Sequence, residues 1–420
     1  MLAGGAARSF GMPVRRLPDA RLMPGMLPTR SGLRRFFLRV WPLLAAVAIL
    51  IGMPAALWQE RHGRVAVEAA VYLPDMVLQV PLPFRPVDLI SDAPTRQHVT
   101  IAYESRNGPR TIDADVYTPA HGTAHQAVVF SMGAPPLPLD DPRLERIAED
   151  AARAGVVMVV PFSDRLDAWR IEPEEIDALV AEFQYAQKLP GVDPHRVGFF
   201  GASVGGSLAL VAAGDPRIAD QVDQVVSFGG YYDALQTFGA IATHHIDADG
   251  VSQDWTPQEH AEKVMAQQLI DAVDNPADRD LLTAMFIDDQ PESQQELATL
   301  SPVGRSSYNF LANRDPAAVQ ALIDRLPPSA VEAMNYLSPR TSIANVKAEL
   351  FILADQADPY IPFTQTREMK AAIGNRPNVH FNELRLFQHV TPKLDQRPDV
   401  IGIDSARLMF RLYQLLLTWN

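Results

Sequence analysis

The sequence predicts an α/β protein in which a doubly wound, mostly parallel sheet is opened by an antiparallel hairpin. Two segments that alternate polar and apolar residues, 97–103 and 110–117, flank the pair Asn107-Gly108, a strong hairpin signal. Short apolar runs without alternation follow, as in strands that are buried on both faces of a parallel sheet. Helical patterns separate most of these runs, and such alternation predicts a doubly wound sheet.

The strand and helix patterns also divide the chain into a core and an insertion. Apolar runs lie at 127–130, 156–160, 197–200, 225–228 and 349–354, with a further strand candidate at 379–387. Helical patterns occupy 142–155, 172–189, 204–213, 364–374 and 401–419. Residues 234–345 contain helix starts such as Asn275-Pro276 but no strand pattern. We therefore predict a core of residues 86–233 and 346–420 and a helical cap insertion over 234–345.

The composition narrows the class of protein. The 420 residues are 47% hydrophobic and 21% charged, which is typical of a globular chain. The lack of cysteine excludes disulfides, thiolate metal ligands and a cysteine nucleophile. The formal net charge of −13 argues against nucleic-acid binding, which needs a basic surface. Residues 1–39 contain eight arginines and one aspartate, and residues 40–59 are uncharged, so residues 60–420 carry a charge of −20.

The uncharged segment 40–59 is long enough, as a helix, to cross the roughly 30 Å of a bilayer's hydrocarbon core. Trp41 and Trp58 lie at its ends, and the arginines before it predict a cytoplasmic N-terminus and an extracytoplasmic body. We expect a basic disordered arm over 1–39, a transmembrane helix or signal anchor over 40–59 and a linker over 60–85. A cleaved signal peptide, leaving an exported soluble protein, is the alternative.

A nucleophile motif follows the strand pattern 197–200. Gly201-Ala202-Ser203-Val204-Gly205 is a G-x-S-x-G sequence, and a helical pattern begins directly after the serine. The two glycines remove side chains where the strand and the helix approach each other, which lets the serine hydroxyl project above the sheet. The strand–turn–helix context predicts that Ser203 is a nucleophile.

A serine hydroxyl needs an adjacent base that is itself held by a third group. Asp355 and Asp358 follow the strand pattern 349–354, and His389 follows the strand candidate 379–387. Each of these residues comes just after a strand, where it can reach the edge of the sheet at which Ser203 projects. The chain order is serine, acid, histidine.

These motifs resemble the α/β-hydrolase superfamily over residues 86–420. Gly205-Gly206 and the segment 192–197 resemble its dienelactone-hydrolase-like and prolyl-oligopeptidase-like branches. The resemblance implies a triad of Ser203, His389 and Asp358.

The acid of this triad is not settled by the sequence. The family pattern G-x-x-D-x-x-[IV]-P matches residues 355–362 with Asp358 as the acid, but Asp355 stands where the family has glycine. Asp355 therefore stays open as the acid, and Asp233 is a more remote candidate.

The oxyanion hole requires two backbone N–H groups. One is expected from Val204, the residue after the nucleophile, and the other from the loop after 127–130. Met132 is the preferred donor in this loop and Gly133 the alternative.

Together these features predict a serine hydrolase that cleaves small carboxylic esters through an acyl-enzyme, with no cofactor and no metal. A peptidase or an acyltransferase on the same fold is the alternative, and a non-catalytic binding protein is a third reading. The segment 244–250 contains two histidines and two aspartates, but its spacing suits neither a calcium nor a zinc site, and we predict a solvated loop.

Overall fold

The computed structural model describes residues 60–80, 82–134, 142–291 and 293–419. The predicted basic arm and the predicted membrane-spanning segment 40–59 lie outside these residues. Within the described part of the chain, no helix is both long enough and apolar enough to cross a membrane.

Twelve strands occur in the described residues: β1 Thr95–Ser105, β2 Gly108–Thr118, β3 His125–Ser131, β4 Val157–Phe162, β5 Val192–Ala202, β6 Val222–Phe228, β7 His245–Ala248, β8 Val251–Asp254, β9 Glu349–Asp355, β10 Val379–Leu384, β11 Phe387–Gln388 and β12 Thr391–Pro392. Eight of them form one sheet in the order β1-β2-β4-β3-β5-β6-β9-β10. β1 and β2 are antiparallel and meet at the predicted Asn107-Gly108 turn. β2 is also antiparallel to β4, and every later pair of neighbours is parallel.

The predicted mostly parallel sheet is thus confirmed, and its strand order is that of the α/β-hydrolase fold.

The α-helices of the described residues are α1 Arg61–Tyr72, α2 Pro142–Arg153, α3 Asp164–Asp167, α4 Glu174–Ala186, α5 Val204–Ala213, α6 Ala234–Thr243, α7 Glu259–Asp271, α8 Pro276–Phe286, α9 Gln294–Leu297, α10 Pro302–Leu311, α11 Val319–Ile323, α12 Pro328–Tyr336, α13 Phe363–Ile373 and α14 Pro398–Trp419.

The two faces of the sheet are packed differently. On one face, α4 and α5 and the helices of the insertion share a single continuous apolar cluster with the strands. On the other face, which α1, α2 and α14 cover, the buried apolar residues fall into two clusters. The α1 and α14 helices belong to the first of these clusters and α2 to the second.

The prediction of a linker over 60–85 needs correction, because most of this segment is ordered secondary structure. The α1 helix is followed by a π-helical turn, Leu73–Val77, and a 3₁₀ turn begins at Pro86. Val65, Ala69 and Tyr72 are buried and lie at helical spacing on one side of α1. Their burial against α14 stabilises a segment whose own sequence pattern is short and rich in charge.

The insertion over 234–345 is mostly helical, as predicted, but it also contains an antiparallel hairpin of β7 and β8. Asp249 and Gly250 form its turn with φ values of 56° and 78°. An Asp-Gly pair with two positive φ angles is the typical two-residue hairpin turn. The solvated loop predicted over 244–250 is therefore largely a short hairpin, which the turn pair could have indicated.

Candidate active site

Ser203 occupies a sharp turn between β5 and α5. Its φ of 58° and ψ of −136° lie in a strained region for a residue with a side chain. The strain is held by tight packing: a Cβ atom added at Gly201 would collide with the carbonyl oxygen of Gly205, and one added at Gly205 would collide with that of Ser131. The N–H of Ser203 donates to the carbonyl of Phe228 at 2.8 Å. The local sequence therefore folds into the predicted sharp turn between a strand and a helix, with Ser203 on the turn.

Asp358 and His389 are in direct contact. Oδ2 of Asp358 lies 2.6 Å from Nδ1 of His389. The other carboxylate oxygen accepts hydrogen bonds from the N–H groups of Tyr360 and Ile361, at 2.8 and 3.0 Å. Asp358 is buried, and the three contacts fix its orientation. Trp255 of the insertion donates from Nε1 to the backbone carbonyl of Asp358 at 2.9 Å.

The two other candidate acids have different partners. Asp355 accepts from the N–H groups of Ala357 and Phe387, both at 2.8 Å, and burial raises its pKa to about 6. Asp233 caps the start of α6 and forms an ion pair with Arg340 at 2.7 Å. Neither carboxylate has a hydrogen bond or ion pair with His389 among those found in the described residues.

His389 follows β11 in a left-handed backbone conformation, with φ of 60°. Its ring stacks on Tyr360 at a centroid distance of 4.7 Å. A Cβ atom added at Gly229 would lie 3.2 Å from Nδ1, so the histidine sits against bare backbone at the end of β6. His389 and Ser203 line the same cavity.

The loop after β3 lies against the elbow. A Cβ atom added at Gly133 would lie 2.9 Å from the nitrogen of Val204 and 3.2 Å from Oγ of Ser203. Met132 and Gly133 both line the cavity beside Ser203. The structure thus brings together the three residues predicted to form the oxyanion hole.

His260 is a cavity residue that the sequence reasoning missed. It lies on α7 of the insertion, and its Nε2 is 2.9 Å from the carbonyl oxygen of Ala134, in the loop after β3. Its ring packs edge-on against Trp169, and burial lowers its pKa. Because α7 contains no motif that marks His260, only the contact with this loop reveals its place.

The histidines at the start of the hairpin are paired individually. Nε2 of His244 lies 2.8 Å from Glu262, and Nε2 of His245 lies 3.1 Å from Asp254. In the described ranges, no group of three or more histidine, aspartate or glutamate side chains is arranged to hold a metal ion.

The cavity has a volume of about 440 Å³, within the size range of small-molecule sites. Its polar groups near Ser203 are few, and most of its wall consists of apolar side chains from the sheet, α2 and α14.

No protein-family model matches the sequence, and no curated protein is significantly similar to it. Among solved structures, Pyrococcus horikoshii acylaminoacyl peptidase is 14% identical with a TM-score of 0.43 over 79% of this chain and 42% of the other. A 2,6-dihydroxy-pseudo-oxynicotine hydrolase is 15% identical with a TM-score of 0.42 over 92% and 87%. A Mycobacterium tuberculosis puromycin-hydrolyzing peptidase is 16% identical with a TM-score of 0.42 over 81% and 40%.

The chain spans only about two-fifths of the length of the first of these structures. All three TM-scores are below 0.5, so these likenesses assign neither a substrate nor an activity.

Proposed function

We propose that the protein is a serine hydrolase that cleaves carboxylic esters through an acyl-enzyme intermediate. The observation that carries the proposal is one cavity lined by Ser203, on a strained elbow, and by His389, whose Nδ1 lies 2.6 Å from Asp358. A strained serine and a histidine–carboxylate pair in one cavity are the parts that nucleophilic acyl transfer requires.

In the first half of the reaction, Nε2 of His389 accepts the Ser203 hydroxyl proton as Oγ attacks the substrate carbonyl. Asp358 accepts the Nδ1–H of His389, which selects the tautomer with a free Nε2 and stabilises the imidazolium that forms. The N–H of Val204 and one N–H of the Met132–Gly133 segment donate to the negative oxygen of the tetrahedral intermediate.

The intermediate collapses when the imidazolium returns its proton to the leaving alcohol. A water molecule then attacks the carbonyl carbon of the acyl-enzyme while His389 accepts one of its protons. The bond between that carbon and Oγ of Ser203 breaks as His389 returns the proton to Oγ, and the carboxylic acid is released. A peptide amide would follow the same steps with an amine as leaving group, and an acyltransferase would replace the water by an acceptor alcohol or amine. The apolar wall of the cavity favours an acyl substrate without many polar groups.

A fluorophosphonate probe tests the nucleophile. The full-length protein should be labelled covalently, and Ser203→Ala should lose labelling. Ser329→Ala changes an exposed serine on α12 and is the matched control, which should label like the wild type. Wild-type protein that stays unlabelled would refute the serine-hydrolase proposal.

A second measurement separates the substrate classes. Acyl esters and acyl amides with the same acyl group should be compared by kcat/KM. Esters are expected to be cleaved faster, and a preference for amides would support a peptidase.

We also infer that residues 40–59 anchor the chain in a membrane, with the catalytic body on the extracytoplasmic side. The support is the uncharged sequence of this segment and the arginines that precede it. A reporter that is active only in the cytoplasm, fused after Asn420, should be inactive. Sequencing the N-terminus of the mature protein distinguishes an uncleaved anchor from a cleaved signal peptide.

A further inference from the structure

The cavity at Ser203 extends well beyond the catalytic residues. It lies on the face of the sheet where the apolar core is divided, and it is lined by members of both clusters. The sheet contributes side chains of one face, among them Val128, Phe130, Val226, Phe351 and Leu353. The opposite wall is formed by α2 and α14, through residues that include Ile147, Ala151, Leu408, Leu412 and Leu415. The cavity is therefore a channel between the sheet and two helices.

The length of the channel follows from the elements that line it. On β6 it runs from Phe228 to Gln224, four residues apart, which corresponds to about 13 Å of strand. On α14 it runs from Leu408 to Trp419, which corresponds to about 16 Å of helix. Phe228 marks the catalytic end, because its carbonyl accepts the N–H of Ser203.

The far end of the channel is polar. Gln224 is buried, its Oε1 accepts a hydrogen bond from Thr418 at 3.1 Å, and its Nε2 has no partner among the described residues. Nε1 of Trp419 is also buried and has no hydrogen-bond partner within the described part of the chain. An apolar chain that extended past these groups would bury N–H donors without partners, which is unfavourable.

We propose that this channel holds the acyl chain of the substrate, and that the substrate class is esters of medium-length aliphatic acids. This inference rests on the proposed function, because it places the carbonyl carbon at Ser203. Tetrahedral carbon–carbon bonds of about 1.5 Å advance an extended alkyl chain by about 1.25 Å per carbon, so about ten carbons span the roughly 13 Å along β6. Each additional methylene group that is buried in the channel should strengthen substrate binding about fourfold.

The channel is continuous with the catalytic site. The group that lies closest to its opening is the acyl chain attached to the reacting carbonyl, and we therefore assign this chain as the occupant. Ser203, Met132 and His389 lie at one end of the same cavity whose walls are apolar along the sheet. The acyl chain of a substrate can therefore extend into the channel while its carbonyl carbon stays at Ser203.

The test is a series of p-nitrophenyl esters from acetate to palmitate, hydrolysed by the full-length protein. We expect kcat/KM to rise with chain length to about ten carbons and to fall beyond that length. A kcat/KM that is flat or falls from acetate onward would overturn the inference.

Two substitutions on different helices narrow the channel, so that one remains informative if the other fails to fold. Ala151→Phe on α2 and Leu415→Phe on α14 should each lower the decanoate-to-acetate ratio of kcat/KM at least tenfold. Leu417→Phe is the matched control, because Leu417 lies on the same helix but outside the cavity lining. An unchanged ratio in a folded Leu415→Phe protein would contradict the assignment.

A binding measurement separates this inference from the proposed function. Ser203→Ala protein should bind decanoate, as measured by calorimetry, and Ser203→Ala/Leu415→Phe should bind it at least tenfold more weakly. If the wild type cleaves no ester but decanoate binding shows this dependence, the proposed function fails and the channel assignment stands. If esters are cleaved but decanoate does not bind, the channel assignment fails alone.

Discussion

Nδ1 of His389 lies 2.6 Å from Oδ2 of Asp358, while the N–H of Phe387, two residues before the histidine, donates to Asp355 at 2.8 Å. Two carboxylates that are three residues apart thus hold one loop in different ways. Asp358 contacts the imidazole, and Asp355 contacts the backbone that leads to it. Their chemical roles should therefore separate on substitution.

Asp358→Asn should reduce kcat by about 10³- to 10⁴-fold, because an amide at this position favours the wrong tautomer of His389. Asp355→Asn should instead lower the free energy of unfolding by about 1–3 kcal/mol, because one backbone N–H loses its acceptor. Ester hydrolysis and urea unfolding of both variants provide the comparison. A larger loss of kcat in Asp355→Asn would reverse the assignment of the acid.

Gly133→Ala should reduce kcat/KM by about 10²- to 10³-fold, because the added Cβ atom would lie 2.9 Å from the nitrogen of Val204 and displace this proposed oxyanion donor. The rate of fluorophosphonate labelling should fall with it. Gly402→Ala is the control, since a Cβ atom there has no heavy atom within 4 Å. Equal activity of the two variants would show that catalysis does not depend on the close approach of the Gly133 backbone to Val204.

His260→Leu should lower kcat about tenfold, because the loop after β3 loses the hydrogen bond at the carbonyl of Ala134. His260→Gln keeps a donor on a side chain of similar reach and should recover most of the activity. The comparison is made by steady-state ester hydrolysis. If His260→Gln lowers kcat as much as His260→Leu does, the contribution of His260 to activity does not come from its hydrogen bond to Ala134.

Glu182→Gln should increase the free energy of unfolding at pH 8 by about 1–3 kcal/mol. Glu182 is only 1% exposed, its Oε2 has no partner among the described residues, and burial raises its pKa well above 4.5. The folded state therefore binds more protons than the unfolded state above pH 4.5, and this group makes the wild type less stable as the pH rises.

Urea unfolding at pH 5 and pH 8 measures this effect. The difference between the wild type and Glu182→Gln should be larger at pH 8. The exposed Glu332→Gln should show no such difference. A Glu182→Gln protein that is less stable than the wild type at pH 8 would contradict the expected cost of the buried charge.

Much of the core could be predicted because its strands are buried on both faces and read as apolar runs. The helix predicted over 204–213 has the same bounds in the structure, and the hairpin pairs around Asn107-Gly108 as expected. The α1 helix was missed because its burial depends on α14, more than three hundred residues away in the chain. The β7–β8 hairpin was missed because its polar strands lack an apolar pattern, although Asp249-Gly250 marks its turn.

The elbow could be located from the chain alone, because a strained turn between a strand and a helix depends on neighbouring residues and on the glycines that flank it. The order of serine, acid and histidine follows from the same local reasoning. The partner of His389, the contact of His260 with the loop after β3 and the channel between the sheet and α14 depend on residues that are distant in sequence. Only the tertiary structure decides which carboxylate reaches the imidazole, because the loops after β9 and β11 must come together, and the packing of helices on the sheet decides how much space remains beside the serine.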